Sequence, residues 1–261
     1  CALPILRSPA SGDWDPQNGA GAAGRISDSI YGCCDAAMRK DAMAGYYAAI
    51  THVDHQLGRI LTTLKEDGVY DDTIILFTSD HGEMLFDHNL WRKVFPYEGS
   101  THIPFLVHIG KHIADIVPHT INGITELRDV MPTLLDLCGL QIPDTVDGCS
   151  LKGCILQEAE SVRSYLHGEH SFHDKLSNHY IVTQQDKFIW YSETGEEQYF
   201  DLSRDPQETH NAILDEEYQS RISELRGILI QTLENREEGF SDGTRLICRK
   251  AQDILQNVHD Y

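Results

Sequence analysis

An aspartate and a histidine stand side by side at Asp80-His81, where a short apolar run ends, and Lys93 follows twelve positions after the histidine. A carboxylate and a neutral imidazole are both ordinary ligands of a divalent cation, and neighbours at a strand end can face one ion only if the backbone turns sharply there. Gly82 permits that turn. The ammonium of Lys93, in Trp91-Arg92-Lys93, could hold an anionic oxygen as a point charge. The same residue types have plainer uses: an aspartate that caps a helix, a histidine satisfied in the core, a solvated surface lysine. Asp87-His88 offers an acid/base pair or, more commonly, a local hydrogen bond. His167-Gly168-Glu169-His170 sets two imidazoles three apart around a carboxylate. It lacks the helical four-residue histidine spacing of a zinc peptidase, and reads as a site-lining or structural segment to which no metal is assigned.

The elements that must position these groups follow from the apolar pattern. Thr73 to Phe77 is β-branched, apolar and too short for a helix, the pattern of a strand buried on both faces. In open α/β sheets ligands sit beyond the carboxyl ends of the strands, so Asp80 and His81 would point into a crevice. Upstream, Met43, Tyr46, Ile50, Val53, Leu57, Ile60 and Leu64 advance by threes and fours, which predicts an amphipathic helix over 36–67 with Gly68 as its left-handed stop. Helix then strand is half of a parallel α/β unit. Ile103 to Ile109 predicts a second buried strand with Pro104 at its margin. Thr125 to Leu137 predicts a helix stopped by Gly139, in which Pro132 starts a new segment or makes a kink. Residues 139–160 read as a linker. Beyond it, 180–183, 187–192 and 198–202 are short alternating segments of an antiparallel meander, 203–211 is a turn, and 213–233 is an amphipathic helix that a further tail helix could follow. The first 35 residues, with three prolines and a Gly/Ala cluster, suit a surface loop.

A formal charge of −20 argues against nucleic acid or an anionic membrane surface as partner. An anionic substrate would then need a local cation or metal. Seven cysteines without paired zinc or disulfide spacing point to reduced, structural thiols and a cytoplasmic setting. No apolar run is long enough to span a membrane.

The ordered segments YYAAITHVDHQLGRIL, DDTIILFTSDHGEMLFDHNLWRK, FPYEGSTHIPFLV, DVMPTLLDLCGL and EEQYFDLSRDPQE resemble the carboxyl half of a sulfatase of the alkaline phosphatase superfamily, over roughly residues 40 to 212. The resemblance implies an alkaline-phosphatase-like α/β fold, a mixed, mostly parallel sheet flanked by helices, incomplete here. It implies a catalytic-domain portion over 1–157 and a smaller α+β subdomain with the meander and helix over 158–261. Asp80 and His81 match the acidic residue and its Asn or His neighbour that form part of the family's metal site, and Lys93 matches the lysine that contacts the sulfate. The implied activity is metal-dependent hydrolysis of a small-molecule sulfate ester, with one divalent ion, calcium foremost and manganese or zinc admitted by the imidazole. A phosphonate monoester or phosphodiester hydrolase of the same superfamily would look the same at these positions. A non-catalytic truncated chain is the third reading.

The sequence also departs from the pattern. The family's nucleophile is a formylglycine made from the cysteine of a Cys-x-Pro-x-Arg-like motif, and no such motif occurs here; Cys1-Ala2-Leu3-Pro4 has neither the spacing nor the arginine. The expectation is a fragment that lacks the first half. Two protein ligands fall short of the six or more donors a hard divalent ion takes, so the isolated fragment is expected to bind metal poorly and to be inactive.

Overall fold

The computed structural model describes residues 9–15, 35–170 and 177–250. Helix α1 (Ala36–Glu66) opens on Asp35, whose side chain accepts a hydrogen bond from the Met38 amide at 2.8 Å, and Gly68 follows it at φ +72°. A non-glycine residue there would meet the cost of the left-handed region, so the stop is set by residue type. Strand β1 (Ile74–Thr78) leads into the loop with Asp80 and His81, α2 (Glu98–Thr101) is a single turn, and β2 (Phe105–Ile109) returns along β1. Pro104 lies just outside the ladder, where its missing N–H costs nothing. Helix α3 (Val130–Leu137) is preceded by a 3-10 turn over 127–129 whose Glu126 and Asp129 form a capping box. Pro132 therefore falls in the first turn of α3, where no intrahelical N–H is lost.

The short α4 (Lys152–Ile155) interrupts the expected linker. The second sheet runs in the order β3 (Leu166–His170), β4 (Asn178–Val182), β5 (Asp186–Tyr191), β6 (Glu197–Asp201), each pair antiparallel. Two 3-10 turns then lead to α5 (Gln219–Leu233). Residues 234–250 carry an isolated bridge between Ser241 and Leu246 and no helix, so the tail helix is absent from the described part, and 251–261 lie outside it.

The α/β class and the meander are as expected, whereas the strand direction in the first sheet is not. Ile74 faces Ile109 and Thr78 faces Phe105, an antiparallel ladder in place of the mostly parallel sheet. The connection explains this: residues 79–104 hold a tight loop and one helical turn, not the crossover helix that a parallel pair needs. His167-Gly168-Glu169-His170 forms the body of edge strand β3.

Strand β5 is buried along its whole length, and its alternation divides the core in two. Phe188 and Trp190 face α5, where Ile222, Leu225, Leu229 and Leu233, at helical spacing, are each 0% exposed. Burying each such side chain contributes about 1.5–3 kcal/mol. Ile189, Tyr191 and Phe200 face the other way, against Met84, Leu90, Val94, Phe95 and Tyr97 of the loop after β1. That second sheet face is thus the platform for the loop with Lys93. By contrast, Met43 is the one buried residue of α1, while Tyr46, Ile50, Val53 and Ile60 on the predicted apolar face are exposed. Among the described residues, no helix is long and apolar enough to cross a membrane.

Candidate active site at the end of strand β1

The loop after β1 is wound tightly. Leu85, Phe86, His88, Asn89 and Arg92 all have φ between 47° and 76°. Such backbone costs about 1–3 kcal/mol per residue unless its surroundings over-determine it. They do here: Met84, Phe86 and Leu90 are at most 1% exposed, and the Phe86 and Leu90 amides donate to the Leu90 and Asp87 carbonyls, both at 2.8 Å. One carboxylate oxygen of Glu83 accepts from the Arg92 and Leu85 amides and closes the loop's neck.

Gly82 is needed for a reason different from the expected one. Its φ is not positive; instead, its amide donates to the Ser100 carbonyl at 2.8 Å, and the Glu83 amide to the Gly99 carbonyl at 2.8 Å. A Cβ on Gly82 would lie 2.2 Å from the Gly99 oxygen. The close approach, not a turn, requires glycine.

This folding brings Asp80, His81 and Lys93 together. His81 Nδ1 sits 2.7 Å from the Gly82 carbonyl, which can only accept, so Nδ1 carries the proton and Nε2 the lone pair. Nε2 faces the Lys93 ammonium at 2.6 Å and an Asp80 carboxylate oxygen at 3.5 Å. An imidazole whose far nitrogen donates to a backbone carbonyl, and whose lone pair points at a cation beside a carboxylate, is oriented as metal-binding histidines are. The residues fit a divalent cation on this ground, with Asp80 and His81 as donors. The Asp80 side chain is 83% exposed and that of His81 37%, so this side of the site is open.

Asp87 and His88 do something else. Asp87 accepts from the Ala10 amide at 2.8 Å, and the two ring nitrogens of His88 contact Asp15 Oδ1 at 2.7 Å and the Gln207 carbonyl at 2.9 Å. Both residues are buried, with Trp14 stacked on the His88 ring. They pin residues 9–15 onto the loop and are not set out for proton transfer to a ligand.

The β3 motif is split by strand alternation. His170 faces the loop side, where burial and then the Lys93 ammonium lower its pKa; His167 and Glu169 face the α5 side. Residues that sequence reasoning missed are Glu98, Lys187 and Glu208. Lys187 of β5 is fully buried and bonds Glu98 at 2.7 Å and Glu208 at 2.8 Å, while Glu208 also accepts from the Glu98 amide. Burial alone would raise the Glu98 carboxyl, but Lys187 and His102 outweigh it and hold it at about 2. Glu208, buried more deeply, is pushed up. The available signal was a lysine inside the apolar strand pattern Lys187-Phe188-Ile189-Trp190, which has to be paired if that strand is central.

An acid, an imidazole and an ammonium thus stand together at the end of β1. Comparison places the chain within a family: residues 11–140 match the sulfatase family and residues 86–235 the family described as N-sulphoglucosamine sulphohydrolase, C-terminal. The chain belongs to the sulfatase family, as a carboxyl-terminal portion. It is 48% identical over 254 residues to an arylsulfatase of Clostridium perfringens, covering 97% of this chain and 53% of the relative. It therefore spans about half the length of that relative. Among solved structures, one in complex with its substrate D-glucosamine-2-N,6-O-disulfate is 28% identical with TM-score 0.62, covering 72% of this chain and 39% of that one. The phosphonate monoester hydrolase of Agrobacterium radiobacter is 31% identical with TM-score 0.61, covering 71% and 40%.

Proposed function

We propose that this chain is the part of a sulfuric ester hydrolase that supplies Asp80 and His81 to a divalent-metal site and Lys93 to the sulfate. The observation that carries the reading is the convergence of these three side chains at the end of β1, in a chain 48% identical to an arylsulfatase. A bound cation would draw electron density from the sulfate oxygens. His81 presents Nε2 because its proton is held on the Gly82 carbonyl, and Asp80 adds negative charge beside it. Lys93, beside His81 Nε2, would stabilise charge on the transferring group. Calcium is the ion that the family resemblance favours, with manganese or zinc as alternatives. The nucleophile that the resemblance implies, a cysteine-derived formylglycine, has no counterpart in these residues. The division into a catalytic portion over 1–157 and a subdomain over 158–261, and the cytoplasmic setting, belong to the same proposal and rest on the sequence pattern.

In the full-length enzyme, Asp80→Ala should abolish stoichiometric metal and turnover of an aryl sulfate together. Lys93→Ala should keep the metal while kcat falls on the order of 10²–10³-fold, the loss of one preorganised donor to developing charge. Unchanged metal content and turnover in Asp80→Ala would sink the ligand assignment. The likeness to a phosphonate monoester hydrolase supports a second reading. A kcat/KM for aryl phosphonate above that for aryl sulfate would favour it.

A further inference from the structure

The α5 face of the β3–β4 pair gathers His167, Glu169 and His179 outside the site described above. Glu169 and His179 are direct cross-strand partners, and His167 lies two residues before Glu169 on the same face of β3. Their donor atoms converge: His167 Nε2 to His179 Nδ1 is 3.3 Å, His179 Nδ1 to Glu169 Oε2 is 3.2 Å and His167 Nε2 to Glu169 Oε2 is 3.9 Å. A point equidistant from three atoms so spaced lies about 2.0 Å from each, the length of zinc–nitrogen and zinc–oxygen bonds. We propose that His167, Glu169 and His179 form a second metal site, a His2Glu set for zinc or a zinc-like transition metal.

The surroundings fix the three side chains in this arrangement. The His179 ring is held between Trp190 and Phe240, with centroids 5.8 and 4.8 Å away, and stacks on His167 at 5.5 Å with an interplanar angle of 7°. Arg236 binds both oxygens of Glu169, at 2.7 and 3.1 Å, and holds the carboxylate in place. Gly168, between the two β3 ligands, leaves room for the Tyr180 ring on the opposite face, where a Cβ would stand 2.0 Å from a ring carbon. The His167 and His179 side chains are 14% and 6% exposed, while Glu169 is 43% exposed, so water can reach a fourth position. Without metal, the contact between His179 Nδ1 and Glu169 is a hydrogen bond. Coordination requires the His179 proton to sit on Nε2. The Arg236 charge beside Glu169 lowers affinity for a cation but does not occupy the lone pairs of the rings. Mixed nitrogen and oxygen donors of this kind favour zinc or cobalt over calcium or magnesium. A metal here would clip edge strand β3 to β4.

The test is zinc titration by calorimetry of the full-length protein with Asp80→Ala and His81→Ala in place, so that the β1 site contributes nothing. One zinc per chain is expected, and adding His167→Gln should weaken it by more than about a hundredfold, beyond the loss that goes with an outer partner. Substituted cobalt should show the intense visible absorption of a four-coordinate ion, and His179→Gln should abolish it. His167→Gln is checked for an unchanged melting temperature without metal. Should it unfold the protein, Glu169→Gln, which keeps the side-chain shape, takes its place. No zinc heat in the parent, or the same affinity and cobalt spectrum after either substitution, overturns the proposal.

Discussion

Lys187→Met is expected to destabilise the protein by about 3–5 kcal/mol, because it leaves buried carboxylates without their counter-charge. That is a large share of the 5–15 kcal/mol that holds a typical domain together. Methionine matches the length of the lysine stem, so the buried volume is kept and the loss isolates charge. Lys187 Nζ is the cation bonded to both Glu98 and Glu208, which join the start of α2 to the turn after β6. Glu98 stands five residues after Lys93, so the effect reaches the loop that carries the candidate site. Denaturant titration measures the loss, and adding Glu98→Gln and Glu208→Gln to Lys187→Met should recover part of it. A Lys187→Met variant within about 1 kcal/mol of the parent would show that the pair is not an uncompensated charge when broken.

The pH dependence gives an independent check. The folded Glu98 carboxyl is at about 2, below its ordinary value of 4.5, so the stability it contributes is full above 4.5 and is lost as pH falls towards 2. Glu208 has the opposite sign, since its raised carboxyl takes up a proton sooner in the folded state than in the unfolded chain. Removing Lys187 removes the larger of the two causes of the Glu98 depression and leaves His102. The decline in stability between pH 4.5 and 2 should therefore be shallower in Lys187→Met than in the parent.

The contrast between Lys187 and Asp80 shows what the sequence made legible. Asp80, His81 and Lys93 lie within fourteen residues of each other, and their proximity follows from one strand end and one loop. Helix α1 and the meander were legible because their apolar periods, 3.6 and 2, are local properties. The direction of β2 was not, because 79–104 reads as loop whichever way the chain returns. Lys187, Glu98 and Glu208 are separated by up to 110 residues, and only the folded sheet shows that a lysine in β5 answers two glutamates elsewhere. His179 is a parallel case. Its register with Glu169 is a property of the folded strand pair, and a slip of one position would send it to the opposite face.

Gly82→Ala should lower stability by about 1–3 kcal/mol, the usual cost of forcing a methyl into filled space. The new Cβ would lie 2.2 Å from the Gly99 carbonyl oxygen, a backbone atom that cannot swing aside. Relief requires the strand-like pair of hydrogen bonds, Gly82 to Ser100 and Glu83 to Gly99, to open. Those bonds fix His81 on one side and the start of α2 on the other. The Gly82 carbonyl also holds the His81 proton, so its displacement frees the imidazole to rotate. Metal affinity and turnover of the full-length enzyme should fall with it, by on the order of a hundredfold for a shift near 1 Å. Gly99→Ala is the matched comparison. Its Cβ would meet Met84 Sδ at 3.3 Å and backbone at 3.4 Å, a crowding that a flexible thioether can relieve. The two substitutions remove glycine from opposite sides of the same contact, and the geometry predicts a severe effect at Gly82 and a mild one at Gly99. Equal melting temperatures and equal metal content in both variants would show that the close approach at Gly82 does not position His81.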